Sequence, residues 1–564
     1  MKKEWFNNNS CGSFLLEALL AAAVGSLFVI ALGSAYFYGQ EAVWIAGNRA
    51  RAQFLAEEGL EAVRNIRDDN FSNVTAGTHG LSISGSQWVF SGTSDATDIF
   101  TRRIIVSDID ANRKSMTAEV AWQQNQQRSG LVAFQSQLTN WQALISSRSM
   151  MVYSKLAANN IPYYRIWDES ASAWGAENSA TAVGNNIQYL VLKFAKTTGE
   201  AILGTLDATG AIRVQVWNGT SWSATTLLAN VGTTNDAYRG FDIEYETNSN
   251  RAIAVYNNAN AADPAYRIWD GASWSSPVIL SAPPTTGAPL WIELERNPAS
   301  SSNEIALMLL DANADVYGMA WDGASWNTMG VAGVWDATAA ISTKKIIDVA
   351  YEQLSGRAVF MWGDLVATDQ YFRIWNGSTV TAPTLLDIPA SGGAAAWIQL
   401  AARPNSNELL YGVQDSVTNL NTRLWSGSAW DTTVQHPEHD VSTENNTSRN
   451  FDIIYETHPA NSGRAWLVWG NSTTVNAKQW SGSAWGAASV LTGSDDTSFI
   501  ILHANPATGA VFVSEYQSRT SASDDIIERH LVGGGSSWSA AAAMWGGPVL
   551  ADPVMFRVDI NTER

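Results

Sequence analysis

Residues 267–274 read RIWDGASW, and variants of this octet return throughout the C-terminal three-quarters of the 564-residue chain. The paired tryptophans are Trp167 and Trp174, Trp217 and Trp222, Trp269 and Trp274, Trp321 and Trp326, Trp425 and Trp430, and Trp480 and Trp485. Trp375 opens a copy without a second tryptophan, and Trp538 ends a degenerate one behind Gly533-Gly534-Gly535. Successive first tryptophans lie 50 to 55 residues apart. A period near 50 with turn-rich strands predicts propeller blades rather than a helical solenoid. Asp-Gly and Asn-Gly between aromatic runs are strong hairpin signals.

Each unit reads as four short strands, for example 241–246, 251–256, 266–269 and 274–280. The first strands alternate between two types. FDIEYE at Phe241, IDVAYE at Ile347 and FDIIYE at Phe451 form one; WIELERNP at Trp291, WIQLAARP at Trp397 and IILHANP around Ile501 form the other. The array therefore reads as duplicated blade pairs. Seven complete units span about 187–538, and a partial unit at 150–175 lacks its first strand. The missing strand is expected at 553–560, PVMFRVDI, which would close the ring and protect its edges. Eight blades are favoured, with seven if the partial unit is not a blade.

The other end of the chain carries a different signal. Residues 12–38 read GSFLLEALLAAAVGSLFVIALGSAYFY after a short polar leader with Lys2 and Lys3. Residues 14–38 would span roughly 37 Å as helix, enough for a hydrocarbon core of about 30 Å. The lysines place its start on the cytoplasmic side. One acid, Glu17, interrupts the run, and an ionised carboxylate in lipid costs several kcal/mol. A secretory signal peptide is the competing reading; its apolar core would be about 7–15 residues and carry no acid.

Gly12, then Ser13-Phe14-Leu15-Leu16-Glu17, resembles the processing site of type IV prepilins and pseudopilins. The resemblance implies cleavage after Gly12 by a prepilin peptidase, methylation of the new N-terminal Ser13, and an assembly role for Glu17. It implies that the Glu17 carboxylate pairs with the amine of a neighbouring subunit, which penalises a wrong axial register. The family usually has phenylalanine first after the cut; here Ser13 precedes Phe14.

No proline interrupts 39–68, and Ala52, Leu55, Gly59, Val63 and Ile66 recur at three- or four-residue steps. That apolar stripe requires a cover, and a small β-sheet is expected. Strand-like runs at 87–90, 100–107 and 116–122 follow, and 100–141 resembles the heads of minor pilins and pilus modification proteins. The expected organisation is multidomain. A leader at 1–12 precedes a pilin-like α+β domain at 13–145 with its helix at 13–68, and an all-β propeller occupies 146–564.

Composition narrows the function. A net charge of −19 argues against a broad basic face for nucleic acid. The one cysteine, Cys11, falls in the leader, so no disulfide scaffold is expected. The repeated turns resemble those of sialidase-like propellers, whose catalysis needs clustered arginines, an acid and a tyrosine. Arg165, Arg267, Arg373 and Arg423 instead recur at one position per unit and read as structural pairs. No enzyme activity, cofactor or metal is expected. The stretch His436-Pro437-Glu438-His439 reads as a solvated loop, and Asp311, Asn313 and Asp315 as turn residues. Repeated tryptophans read as packing between blades. Trp335, Trp362 and Trp545 fall outside the repeat and are the candidate ligand-binding positions.

The expected function is a minor pilin that displays the propeller at the cell surface or filament tip for adhesion. Its expected partners are other pilin subunits, the peptidase, inner-membrane lipid before assembly, and a surface glycan or protein. A pseudopilin of a secretion or DNA-uptake machine, and a pilin-anchored carbohydrate-binding or hydrolytic propeller, are the alternatives.

Overall fold

In the computed structural model the described residues are 10–562, without 70, 86, 111–112, 126, 140–147, 156–159, 232–238, 260, 282–284, 341–342, 367, 389–391, 432–437, 444–448, 459–460, 462, 472–473, 493–496, 518–523, 533 and 548–557. The chain divides into two units, Met1–Ile145 and Ser146–Arg564.

One helix, Ser10–Asp69, opens the first unit, and its 60 residues span about 90 Å. No proline precedes Pro162, so nothing in the local sequence breaks it. Its N-terminal half exposes Phe14, Leu20, Phe28, Ile30 and Val43. Its C-terminal half buries Ala52, Ala56, Leu60, Val63 and Ile66 against Phe100, Ile104, Met116, Ala118 and Val120. The buried positions recur at helical spacing, so one face meets the sheet. Gly59 makes the close approach possible, because a Cβ there would lie 3.0 Å from Ile104 Cδ1. Arg102 ties the layers by donating to the Leu55 carbonyl at 3.1 Å and pairing with Glu58 at 2.8 Å.

The covering sheet is antiparallel, in the order Gly77–His79, Phe100–Asp110, Arg113–Asn125, Arg128–Thr139, with Asp95–Thr97 pairing beside the second strand. Met116, Ala118, Val120 and Trp122 alternate inward along Arg113–Asn125, the period of a half-buried strand. A separate hairpin joins Leu81–Ser84 to Gln87–Phe90.

The second unit is all-β and propeller-like. Its described residues form eight antiparallel sheets. The second to eighth are four-stranded meanders in chain order. They begin at strands Ile187–Phe194, Phe241–Tyr245, Pro289–Arg296, Ile347–Tyr351, Ala395–Ala402, Phe451–Tyr455 and Thr497–Ala504. The first sheet is built around Ser149–Ser154 and Pro162–Asp168, and the chain end completes it. Val558–Thr562 pairs antiparallel with Ser149–Ser154, Val558 opposite Tyr153 and Thr562 opposite Ser149. Residues 553–557 of the expected closing strand lie outside the described residues. The first strand of each sheet packs on that of the next, the eighth on Val558–Thr562, and Val558–Thr562 on Ile187–Phe194.

Inner strands such as Ile305–Asp311 and Leu409–Asp415 are buried at every position, which is why they read as apolar runs without alternation. Farther out, the RIWDGASW octet closes a hairpin. Trp269 bridges Trp274, and the Asp270 carboxylate accepts the amides of Ala272 and Ser273. Gly271 takes φ +94°, and its counterparts Gly219, Gly323, Gly377, Gly427 and Gly482 take φ +88° to +98°. Only glycine enters this left-handed region without steric cost. The fourth strand of that unit is shorter than expected, Val278–Ile279 alone.

Candidate functional site

The first strands of the propeller-like unit carry a repeated carboxylate. Asp242, Asp348, Asp452 and Asp559 each accept, with one oxygen, the amide of the following residue at 2.8–3.1 Å. The other oxygen reaches the neighbouring sheet and accepts the amides of Leu294, Leu400, Leu502 and Leu192 at 2.9, 2.6, 2.8 and 2.7 Å respectively. Arg239, Lys345 and Arg449, three residues ahead of the first three acids, pair with them at 3.4, 3.0 and 3.4 Å. Lys193 and Glu244 pair beside them at 2.8 Å. Two voids of about 220 and 170 Å3 lie among these groups and share Lys193 and Asn561. Burial pushes the Glu295 carboxyl up to about 7 and the Asp559 carboxyl up to about 6. These charges bind one another and the backbone, so their chemistry is cross-linking.

The seams between sheets use aromatic groups. Trp321 and Trp425 donate their indole N–H to Glu246 and Glu352 of the preceding sheet, at 2.6 and 2.7 Å. Trp269 and Trp375 do the same to Glu200 and Glu304, at 2.8 and 3.0 Å. Arg251 and Arg357 close the network with Glu246 and Glu352 at 2.7 and 2.6 Å. The first tryptophan of each of these copies is therefore an inter-sheet fastening. The repeated arginines act at the same seams. Arg165 donates to the Met544 carbonyl and Arg267 to the Leu228 carbonyl, each on the preceding sheet, at 3.3 and 3.2 Å. Arg373 lies 5.0 Å over the Trp335 ring of the preceding sheet.

One seam holds an open cleft of about 690 Å3, between the fifth sheet and the sixth. Phe372, Leu385 and Leu386 line it from one side, and Trp425 and Trp430 from the other. Phe372 meets the two tryptophan rings edge-on at 5.9 Å each. Asp387 and Arg423 supply its charges. Arg423 Nη1 donates to the Thr422 carbonyl at 2.9 Å, and burial pulls the guanidinium below its ordinary value. Trp430 is 8% exposed, and its indole N–H has no hydrogen-bond partner. A large apolar concavity with a few converging polar groups is the usual form of a small-ligand site.

The positions singled out from sequence fall elsewhere. Trp335 and Trp362 are buried, at 6% and 1% exposure, so neither presents a face to a ligand. Trp335 packs against Phe360 and over Gly318, where a Cβ would lie 2.1 Å from its ring. Trp362 donates to Asp336 at 2.7 Å. Trp362, opposite Ile347, has a counterpart in Trp469, opposite Phe451, which donates to Asp440 at 2.7 Å. Trp545 lies in the strand Ala542–Gly547, and its side chain is outside the described residues. Gly12 and Ser13 belong to the helix backbone, the Ser13 side chain lies outside the description, and Glu17 stands on the exposed half of the helix.

Asp311 accepts the amides of Asn313 and Asp315 at 2.9 and 3.0 Å, the geometry of a turn. His436 and Pro437 lie outside the described residues, and His439 meets Thr422 Oγ1 at 2.7 Å. Among the described residues no group of three or more His, Cys, Asp or Glu is placed to hold a metal. Sequence reasoning missed the cleft because Arg423 recurs as Arg165, Arg267 and Arg373, and Trp430 as the second tryptophan of most other copies. The signal available was local: Val380 replaces the second tryptophan in the adjoining unit.

No family model matches the chain, and no curated protein matches it. Solved structures do. The BP39L lectin from Burkholderia pseudomallei is 12% identical over 64% of this chain and 100% of its own, with a TM-score of 0.46. The fungal Aleuria aurantia lectin, described as a six-bladed β-propeller with a novel fucose recognition mode, is 13% identical over 63% and 95%, with a TM-score of 0.33. The dihydro-heme d1 dehydrogenase NirN is 8% identical over 71% and 74%, with a TM-score of 0.42. Each is a protein to which this chain is similar.

Proposed function

We propose that the chain is a minor pilin-like subunit that displays an eight-bladed, closed propeller at the cell surface as a ligand-binding head rather than a catalytic one. The observation that carries this reading is one helix with two environments. Between Phe14 and Gln40 it exposes apolar side chains with a single carboxylate, Glu17; from Ala52 onward it is seated on its own sheet. An exposed apolar half suits lipid before assembly and sister helices afterwards, while the seated half fixes a small head. An acid that this half carries into lipid is tolerable only beside a positive partner, here the amine of the next subunit. The eight sheets, with the chain end supplying a strand to the first, support ring closure, because joining the two ends removes the exposed edges.

Mass spectrometry of the mature N-terminus tests the class. A methylated Ser13 end is expected; a retained 1–12 segment, or a cut near Ala35, would overturn the assignment. Glu17→Ala is expected to insert in the membrane normally and to lose most of its incorporation into filaments. Wild-type incorporation of that variant, scored by immunoblot of sheared filaments, would remove the role given to Glu17.

A further inference from the structure

We propose that the strand Arg128–Thr139, at the edge of the sheet in the first unit, takes an extended segment of a partner protein as a further strand, held by backbone hydrogen bonds. The inference is independent of what the propeller-like unit binds; only its choice of partner rests on the stalk reading.

An open sheet edge is a row of unpaired N–H and C=O groups. Folded proteins protect such rows with short edge strands, charge, proline or bulges. This chain protects its other edges. The outer strands of the eight propeller-like sheets have two to six residues, from Val278–Ile279 to Ala542–Gly547. The strands nearest the axis, Val558–Thr562 and the seven first strands, are served by acids: Asp242, Asp348, Asp452 and Asp559 accept an amide from every one of them. The far side of the sheet in the first unit ends in Gly77–His79 and Asp95–Thr97, three residues each.

Arg128–Thr139 has none of these devices. It runs for 12 residues and pairs on one side only, with Arg113–Asn125. Among the described residues its other side carries no backbone hydrogen bond. Its register is regular from Ser129 opposite Gln123 to Thr139 opposite Arg113, and the one irregularity lies beside the turn, between Gln123 and Asn125. It contains no proline, and its one charged residue, Arg128, stands at its start. Leu131 is 61% exposed on one face of the strand, and Phe134 is half-buried on the other. A strand laid alongside would cover both and pair the open row.

The geometry specifies the occupant. A straight row of peptide groups matches an extended backbone and not a compact ligand, so main-chain bonds supply the affinity. Residues 129–139 offer no charge to pair with, so the incoming stretch is uncharged, with an apolar residue to meet Phe134 on the helix side. A second copy is the competitor. Two copies joined antiparallel at this edge are related by a two-fold axis perpendicular to the sheet. That axis reverses the direction of Ser10–Asp69, whereas two stalks anchored in one membrane run the same way. The occupant is therefore a different chain.

The test is hydrogen–deuterium exchange of the full chain in detergent micelles, read by mass spectrometry over 128–139. The probe is the synthetic peptide RSGLVAFQSQLT, which copies this strand but has no helix to constrain its direction. Main-chain pairing tolerates many side chains, so a sequence that already forms a strand suffices. The control peptide carries N-methyl groups on the four amides copied from Leu131 to Phe134. It keeps every side chain and loses donors on both of its edges.

Without peptide, about half of the amides, those pointing outward, are expected to exchange freely. Saturating probe is expected to slow them about tenfold or more, and the control to leave them unchanged. No protection by the probe, or equal protection by the control, overturns strand addition. Protection without peptide that vanishes on dilution places a second copy on the edge and overturns the choice of partner. Protection without peptide that survives dilution means that the chain covers its own edge, and overturns the site. An unprocessed N-terminus would remove the argument against a second copy and leave the open edge standing, so the two readings fail separately.

Discussion

The axis and the fifth-to-sixth seam of the propeller-like unit are both concave and both charged, yet they are built for different ends. At the axis, Asp242, Asp348, Asp452 and Asp559 spend both oxygens on backbone amides, and three of the four have a cation beside them. At the seam, Arg423 and Asp387 line an open cleft together with Ile374, Thr384 and Leu385. Carboxylates spent on backbone amides fasten elements together; an open concavity with an apolar lining is the usual form of a small-ligand site. The difference should appear in the size of the effects, with axial substitutions costing more stability than substitutions at the seams.

The largest expected loss is at Asp452→Ala. The change strands the amides of Ile453 and Leu502 and leaves Arg449 without its acid, in a place where Asp452 is 3% exposed. Breaking a buried pair typically costs about 3–5 kcal/mol. Urea denaturation of the variant should show that loss; a cost below about 1 kcal/mol would mean that the axial acids do not fasten the sheets.

A smaller loss is expected from Trp425→Phe, which keeps most of the ring packing but removes the N–H donated to Glu352 at 2.7 Å. Arg357 still holds that carboxylate, so about 1–2 kcal/mol is expected from the same measurement. A loss as large as that of Asp452→Ala would put the seam on a par with the axis.

The third effect is a pH slope. Glu295 is raised to about 7 and Asp559 to about 6, so the folded state holds protons there that the unfolded chain has released. Their contribution is present in full below about pH 4 and is lost as pH rises toward 6 and 7. Melting temperature should therefore rise by on the order of a few °C between pH 7.5 and 5.5, and Glu295→Gln should flatten that rise. An unchanged slope in the variant would place the titrating group elsewhere.

Much of this architecture is legible in the sequence, for local reasons. The RIWDGASW copies announce hairpins because Gly271 and its counterparts must enter the left-handed region and Asp270 caps the turn. The helix is legible because nothing interrupts it and its stripe repeats at helical spacing. The axial acids are visible in FDI and its variants, but their partners are not, since Asp242 reaches an amide 52 residues away. The candidate site misleads a reader of sequence. Trp335 and Trp362 look distinctive because they break the repeat, yet they are buried. Trp430 looks ordinary, yet it lines the cleft.

The sequence by itself determined the periodic hairpins, the apolar helix half with its one acid, and the pairwise repetition of the sheets, because turn conformation, hydropathy and repetition are properties of neighbouring residues. Only the tertiary structure decided which tryptophans are fastenings, and that Trp425 both fastens a seam and lines a cleft. Burial and hydrogen-bond satisfaction at a seam are set by side chains of the adjoining sheet, some 50 residues away, and identical octets meet different neighbours.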